Sequence, residues 1–247
     1  MRVLVCILLM LLCPAVASAR PWVVAHRGAP SLGPENALAT FEKACDLGVD
    51  AIELDIHQSR DGGLLVIHDD TLDRTYGRPG KVGEMTKSEL VEVGVPTLQQ
   101  ALQVIRRRCQ VLVEIKHPGD SRYQGIEERL LEVLRSEGRL QGVVVISFDS
   151  TSLRRLHELQ PSLVTGWLVG IPVDPSRARR ELGITYLAPH FSLVDQRLVR
   201  EVRASGLKLG VWTVNREADL RRMVELGCDA ITTDEPRRLM ELLGPRP

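Results

Sequence analysis

The chain has 247 residues, about the length of one large α/β domain, and no segment after its start approaches the ~18 consecutive apolar residues of a membrane span. Lys plus Arg and Asp plus Glu both total 32, so no global basic field invites nucleic acid, and attraction for an anionic substrate has to be local. Aromatic residues are only 4% while Val, Leu and Gly are ample, which suits a close-packed core and argues against disorder.

Residues 1–19 stand apart. Arg2 supplies a positive start, Val3 to Leu12 an apolar run, and Ala17-Ser18-Ala19 a small-residue cleavage site before Arg20. A removable signal peptide over 1–19 is expected, followed by one barrel domain over 20–247 of an exported protein, periplasmic or secreted. Leu12 is bulky where a small residue usually precedes a lipid-modified cysteine, which argues against an anchor at Cys13. The remaining Cys45, Cys109 and Cys228 are odd in number and widely spaced. They are expected as buried thiols, without a disulfide framework or a metal site.

From Arg20 onward strand and helix patterns alternate. Strands are predicted over Trp22–Ala25, Ala51–Ile56, Val111–Ile115, Val143–Phe148, Val164–Leu168, Thr185–Ala188, Leu207–Val214 and Ala230–Thr232. Helices are predicted over Asn36–Leu47, Thr97–Arg108, Tyr123–Ser136, Thr151–Leu159, Asp195–Ala204, Glu217–Leu226 and Pro236–Leu243. Ser150 or Thr151, Asp195 and Asn215 mark helix starts, and Gly48, Gly138, Gly206 and Gly227 mark ends. This alternation predicts an α/β fold, a (β/α)₈ TIM barrel. A doubly wound open sheet is the alternative, because alternation alone does not prove closure.

The segment Asp50–Asp70, DAIELDIHQSRDGGLLVIHDD, carries the densest chemistry. Alternation puts Glu53 and Asp55 on one face of a strand and Ile52, Leu54 and Ile56 on the other. Asp61-Gly62-Gly63 marks a turn, and Leu64–Ile67 a second short strand leading to His68. Adjacent carboxylates repel unless a cation sits between them, and a hard divalent ion is the simplest one; a solvated edge is the bland alternative. In a barrel, sites form where strands end. Most of the predicted strands end in polar groups: His26-Arg27-Gly28, Glu53 and Asp55, Glu114 and Lys116, Ser147-Phe148-Asp149, Trp212–Asn215, and Thr232-Thr233-Asp234, with His68-Asp69 ending the hairpin.

The segments Ala25–Phe41 (AHRGAPSLGPENALATF), Glu53–Thr75, Val95–Leu102, Glu114–Pro118 (EIKHP), Ile146–Asp149, Val211–Asn215 and Ile231–Pro236 together resemble the glycerophosphodiester phosphodiesterase family. The resemblance spans nearly the whole mature chain in the family's order, and HRG, PEN, ELD, HDD and EIK are specific as a set. It implies a (β/α)₈ fold and one divalent metal, Mg²⁺ or Ca²⁺. By resemblance Glu53, Asp55 and Glu114 are the metal ligands, and His26 and His68 the acid–base pair. One departure stands out: family members usually carry an insertion before the third barrel strand, whereas here Glu84–Gly94 passes almost directly into Val95. That short segment bears on headgroup selectivity, not on the metal.

The implied reaction cuts a small glycerophosphodiester into glycerol 3-phosphate and an alcohol. A phosphodiester monoanion repels its nucleophile and has a poor leaving group, so Arg27 and Lys116 are expected to share its charge. One histidine removes a proton and the other donates one, in an order left open; so is the choice between direct water attack and a cyclic intermediate. Phe148 and Trp212 form either a wall for the glycerol or alcohol moiety or plain packing. Glu35 and Asn36 are either first-turn helix residues or supports of the catalytic loop. His57 is assigned to loop packing, and Arg177–Arg180 to a solvated helix face that could meet anionic lipid. Two other functions stay open: a phospholipase acting on lysophospholipid or phosphoinositide headgroups, and a non-catalytic barrel that binds phosphorylated ligands. Oligomeric state is left undetermined.

Overall fold

Nine strands join in one sheet among the residues described by a computed structural model, 20–119 and 121–246. The expected signal peptide lies outside the described residues. The strands are β1 (Trp22–Ala25), β2 (Ala51–Gln58), β3 (Leu64–Val66), β4 (Gln110–Ile115), β5 (Val143–Ser147), β6 (Val164–Val169), β7 (Tyr186–Pro189), β8 (Lys208–Val211) and β9 (Ala230–Thr233). All pair in parallel except β3, which is an antiparallel hairpin arm on β2. Because β1 bonds to both β2 and β9, the eight parallel strands close into a ring. Closure excludes the open doubly wound sheet and agrees with the (β/α)₈ barrel.

The helices are α1 (Leu38–Leu47), α2 (Asp73–Tyr76), α3 (Lys87–Val93), α4 (Leu98–Ile105), α5 (Ile126–Ser136), α6 (Ser150–Leu159), α7 (Pro175–Leu182), α8 (Gln196–Ala204), α9 (Glu217–Leu226) and α10 (Pro236–Leu243). Their apolar faces pack on Val23, Ile52, Leu54, Ile56, Val111, Val113 and Val145, which point away from the barrel axis. Each such side chain contributes roughly 1.5–3 kcal/mol on burial. The alternate set, Val24, Ala51, Leu112, Val144, Ile146, Tyr186 and Ala188 among them, fills the barrel interior. Ala51 has the same parity as Glu53 and Asp55, and Leu112 the same as Glu114. The period of two therefore turns all three acids into the barrel, above an apolar floor. Gly166 makes room in that floor: a Cβ there would lie 3.1 Å from Tyr186 Cβ and 3.2 Å from Ile146 Cγ2.

Several predicted boundaries move. The first helix starts at Leu38, not Asn36, because Asn36 adopts a positive φ of 55° and Ala37 is extended. The predicted Thr97–Arg108 helix stops at Ile105, where Arg106 takes φ 52°. Strand β8 ends at Val211, so Trp212–Asn215 form a loop. Asp149 caps α6 through Thr151 N, in place of Ser150 or Thr151. Helix α7 encloses the Arg177–Arg180 cluster, with Arg177, Arg179 and Arg180 exposed. Between β3 and α4, helices α2 and α3 cover a small separate core of Leu65, Ile67, Leu72, Val82, Leu90 and Val95. Helix α3 begins with a Thr86–Glu89 capping box. All three described cysteines are buried and free. No helix among the described residues is long and apolar enough to cross a membrane.

Candidate active site

Glu53, Asp55 and Glu114 meet inside the C-terminal mouth of the barrel. One carboxylate oxygen from each lies within 4.8 Å of the others. Asp55 and Glu114 are direct neighbours in the β2–β4 register, and Glu53 is two residues back on the same face. All three are buried, at 2%, 0% and 8% exposure. Burial, then the charges of Asp55 and Glu114, push Glu53 well above the usual carboxylate range. Burial and the Asp55 charge push Glu114 up to about 7. Burial acts upward on Asp55 too, but Lys116, His68, Arg27 and the Asn36 amide together hold it below its ordinary value.

Glu53 Oε1 and Asp55 Oδ1 are buried without a hydrogen-bond donor among the described residues. Unpaired buried carboxylate oxygens are costly, and a divalent cation relieves both the desolvation and the mutual repulsion. The all-oxygen donor set suits a hard ion. The residues therefore fit a divalent metal, and the solvated-edge alternative fails because none of the three is solvated.

Cationic and amide groups surround the acids. Gly28 sits at φ 83°, where an added Cβ would lie 2.7 Å from Phe41, and this tight turn aims Arg27 N at Glu53 Oε2, 2.7 Å away. Arg27 Nη1 donates to Glu35 Oε1 at 3.2 Å, and Arg27 Nε lies 3.5 Å from Asp55 Oδ2. Lys116 Nζ donates to Glu114 Oε1 at 2.9 Å and lies 3.7 Å from Asp55 Oδ1. Asn36, buried at 3% exposure, donates Nδ2 to Asp55 Oδ2 at 2.9 Å. The positive φ that ends its helical role is what turns its amide inward. Glu35 accepts from Arg74 at 2.7 and 2.8 Å as well as from Arg27, and the Arg74 bonds are the main reason its carboxyl lies low.

The two histidines share one arrangement. His26 follows β1 and bonds through Nδ1 to Asp234 Oδ1 at 2.7 Å. His68 follows the hairpin and bonds through Nδ1 to Asp69 Oδ1 at 2.7 Å. A carboxylate accepts, so each Nδ1 carries the proton and each Nε2 is left for chemistry. Asp234 is itself held by Asn215 Nδ2 at 2.6 Å and donates its backbone N–H to Asn215 Oδ1. Asp69 is held by Arg74 Nε at 2.6 Å, which draws its carboxyl down to about 2. Burial depresses His68.

His57 is not in a loop. It belongs to β2, because the hairpin extends the strand and pairs it with Leu65. Its Nε2 donates to the His68 carbonyl at 3.0 Å, which leaves Nδ1 to accept from the Tyr123 hydroxyl at 2.8 Å. Burial holds it neutral, with a pKa lowered to about 4. At the rim Phe148, 42% exposed, packs edge-on against Trp212 with centroids 5.2 Å apart, while Trp212 Nε1 is tied to the Ala188 carbonyl. Arg74, Tyr123 and the two histidine-orienting aspartates have no role assigned from the sequence, and Asn215 is expected only as a helix start, whereas α9 begins after Arg216 and Asn215 serves Asp234. Asp234, Asp69 and Asn215 had a visible signal, each standing at a strand or hairpin tip; Arg74 and Tyr123 had none.

The sequence model of the glycerophosphoryl diester phosphodiesterase family matches residues 26–238. A glycerophosphodiester phosphodiesterase of Caldanaerobacter subterraneus is 35% identical over 237 residues, covering 90% of this chain and 97% of that one. One from Bacillus subtilis is 33% identical over 246 residues, covering 86% and 83%. Among solved structures, a Silicibacter pomeroyi protein described as a glycerophosphoryl diester phosphodiesterase superposes with a TM-score of 0.83 at 26% identity, covering 91% and 93%. An Oleispira antarctica phosphodiesterase in complex with its product sn-glycerol-3-phosphate superposes at 0.78 with 28% identity, covering 89% and 95%.

Proposed function

The chain belongs to the glycerophosphoryl diester phosphodiesterase family and hydrolyses glycerophosphodiesters in a metal-dependent reaction, and from that premise we propose that His26 and His68 are its proton-transfer pair. The observation that carries this reading is the convergence of three buried carboxylates with two histidines whose Nδ1 atoms are each fixed by an aspartate. Glu53, Asp55 and Glu114 would hold a divalent ion, Mg²⁺ or Ca²⁺. Such an ion, when bound, supplies Lewis-acid withdrawal of charge from the non-bridging phosphate oxygens.

The chain's own groups do the remainder. Arg27 and Lys116 bind the phosphate from the two sides on which they already flank the acids. One imidazole accepts the proton of the attacking hydroxyl on its free Nε2, and the other, entering as the imidazolium with both ring nitrogens protonated, donates its Nε2 proton to the departing alkoxide, leaving glycerol 3-phosphate and an alcohol. Phe148 and Trp212 offer an apolar wall to the glycerol or the alcohol. The product-bound Oleispira relative supports glycerol 3-phosphate as the product here. Arg2, the apolar Val3 to Leu12 and the Ala17-Ser18-Ala19 site support export, periplasmic or secreted, with the substrate met outside the cytoplasmic membrane.

Purified protein given glycerophosphocholine with Mg²⁺ or Ca²⁺ should release glycerol 3-phosphate and stop on addition of EDTA. Trapping a cyclic glycerol phosphate during turnover would identify the neighbouring glycerol hydroxyl as the nucleophile; its absence in single-turnover samples would identify water. Turnover of lysophosphatidylcholine without turnover of glycerophosphocholine would overturn the substrate assignment.

A further inference from the structure

Two of the three described cysteines meet at the end of the barrel opposite the acids. Cys45 lies in the last turn of α1 and Cys109 immediately before β4, and their sulfurs are 3.5 Å apart. Cys228 packs elsewhere, 3.9 Å from Met223 Sδ. Arg139 flanks the pair at 5% exposure: it donates one nitrogen to the Arg106 carbonyl, and its Nε and Nη2 have no partner among the described residues. Together with Arg107, Arg135 and Cys109 it lines a cavity of about 430 Å³. An unpaired buried guanidinium favours an anion beside it. The Cys45 thiol lies below its ordinary value, through the Cys109 hydrogen bond first and the Arg108 and Arg139 charges after it, while the same hydrogen bond and burial push Cys109 up, so Cys45 is the sulfur that carries the thiolate character. Thiolate character and an approach for a reagent are what reactive cysteines require.

We propose that Cys45 and Cys109 are a redox-active pair that forms a disulfide when the protein meets an oxidising thiol–disulfide couple, stapling α1 to the foot of β4. Bonded sulfurs lie about 2.05 Å apart, so the pair has to close by roughly 1.5 Å from its contact, a shift on the scale of a side-chain rotation. The oxidant is a protein or low-molecular-weight disulfide, RSSR. A thiolate of the pair attacks one of its sulfurs and expels RS⁻, and the second cysteine loses its proton, attacks the mixed disulfide and expels the other RS⁻. Two thiols become one disulfide while RSSR becomes two RSH. The cross-link spans 64 positions and encloses Glu53, Asp55 and His68, so it constrains the unfolded chain over a segment that carries two of the three acids and one of the two histidines. Export would supply the oxidant, but the pairing does not depend on the phosphodiesterase assignment.

The purified protein, equilibrated across ratios of oxidised to reduced glutathione, alkylated and digested, should yield a cross-linked peptide pair joining Cys45 to Cys109, with Cys228 alkylated at every ratio. The oxidised protein should melt about 5–10 °C above the reduced one. A C45A/C109A variant should lose that difference and keep its turnover, since neither residue touches the site. Persistent alkylation of both Cys45 and Cys109 at the most oxidising ratio, or capture of either by glutathione or Cys228 alone, would overturn the proposal. The peptide analysis uses the unaltered protein, so it decides even where the double variant fails to fold.

Discussion

His26 and Asp234 stand 208 positions apart in the chain and 2.7 Å apart in space, Nδ1 to Oδ1, across the seam where β1 meets β9. Closure of the barrel makes this contact, and the contact sets which ring nitrogen of His26 is free. Asp234 can do this because its other oxygen accepts from Asn215 Nδ2.

Replacing Asp234 by Asn should therefore cost more than the loss of a charge. The new amide has one donor end, which must face either the Asn215 donor or His26 Nδ1. The second choice forces the proton onto His26 Nε2, the wrong tautomer for a base. Asp234→Asn should lower kcat about 10²-fold, and His26→Ala or His68→Ala about 10²–10⁴-fold, with metal affinity nearly unchanged in all three. Full-rate turnover by His68→Ala would show its role to be misassigned. Steady-state kinetics with calorimetric metal titration reads both quantities.

Glu53→Gln should separate metal binding from folding. Glu53 is pushed up by burial first and by two neighbouring carboxylates after it, so replacing it removes a desolvation cost and a repulsion, and the metal-free variant should melt at or above the metal-free wild type. Losing an anionic ligand should weaken the divalent ion by about 10²-fold, with activity partly restored by excess metal. A lower metal-free Tm with unchanged metal affinity would contradict the ligand assignment.

The stabilisation conferred by metal should depend on pH with a definite sign. Glu114 titrates near 7 in the metal-free fold and Glu53 is also raised, so below that range the ion has to displace protons. The rise in Tm on adding Mg²⁺ or Ca²⁺ should be small at pH 5.5 and grow as pH increases through 7. Comparing Tm with and without metal at each pH cancels the titration of groups remote from the site.

His57 makes a second pH-dependent contribution, of opposite origin. It is neutral in the fold down to about pH 4, against an ordinary value of 6.5. An imidazole depressed in the folded state contributes stability that is complete above 6.5 and is lost as pH falls toward 4, at most on the order of 3 kcal/mol. His57→Gln keeps a donor for the His68 carbonyl and removes the titration. Denaturant unfolding of the variant should accordingly show a shallower loss of stability between pH 6.5 and 4, together with a reduced kcat if the His68 loop loosens. Identical slopes in the two proteins would remove His57 from this account.

Much was legible in the chain itself. The alternation of Ala51, Glu53 and Asp55 against Ile52, Leu54 and Ile56 is a local property of an extended backbone, so the shared face of the two acids could be read directly. The same holds for Leu112 and Glu114, and for the polar tips after apolar strand bodies. Helix starts were less legible: Asn36 follows Glu35 in a helix-like pattern, yet its backbone turns to φ 55° to serve Asp55. A requirement nineteen positions away overrode local preference.

Strand–helix alternation, the faces on which Glu53, Asp55 and Glu114 lie, and the placing of His26 and His68 at strand ends were written in the chain, because these follow from backbone periodicity within a few residues. Closure of the sheet, the orientation of His26 by Asp234, the Arg74 tie between Glu35 and Asp69, and the contact of Cys45 with Cys109 emerge only in the folded chain. Those contacts join segments whose separation along the chain carries no information about distance. The His26–Asp234 contact exists because the ring brings its first and last strands together, and the others because loops and helices from different β–α units pack at the two ends of that ring.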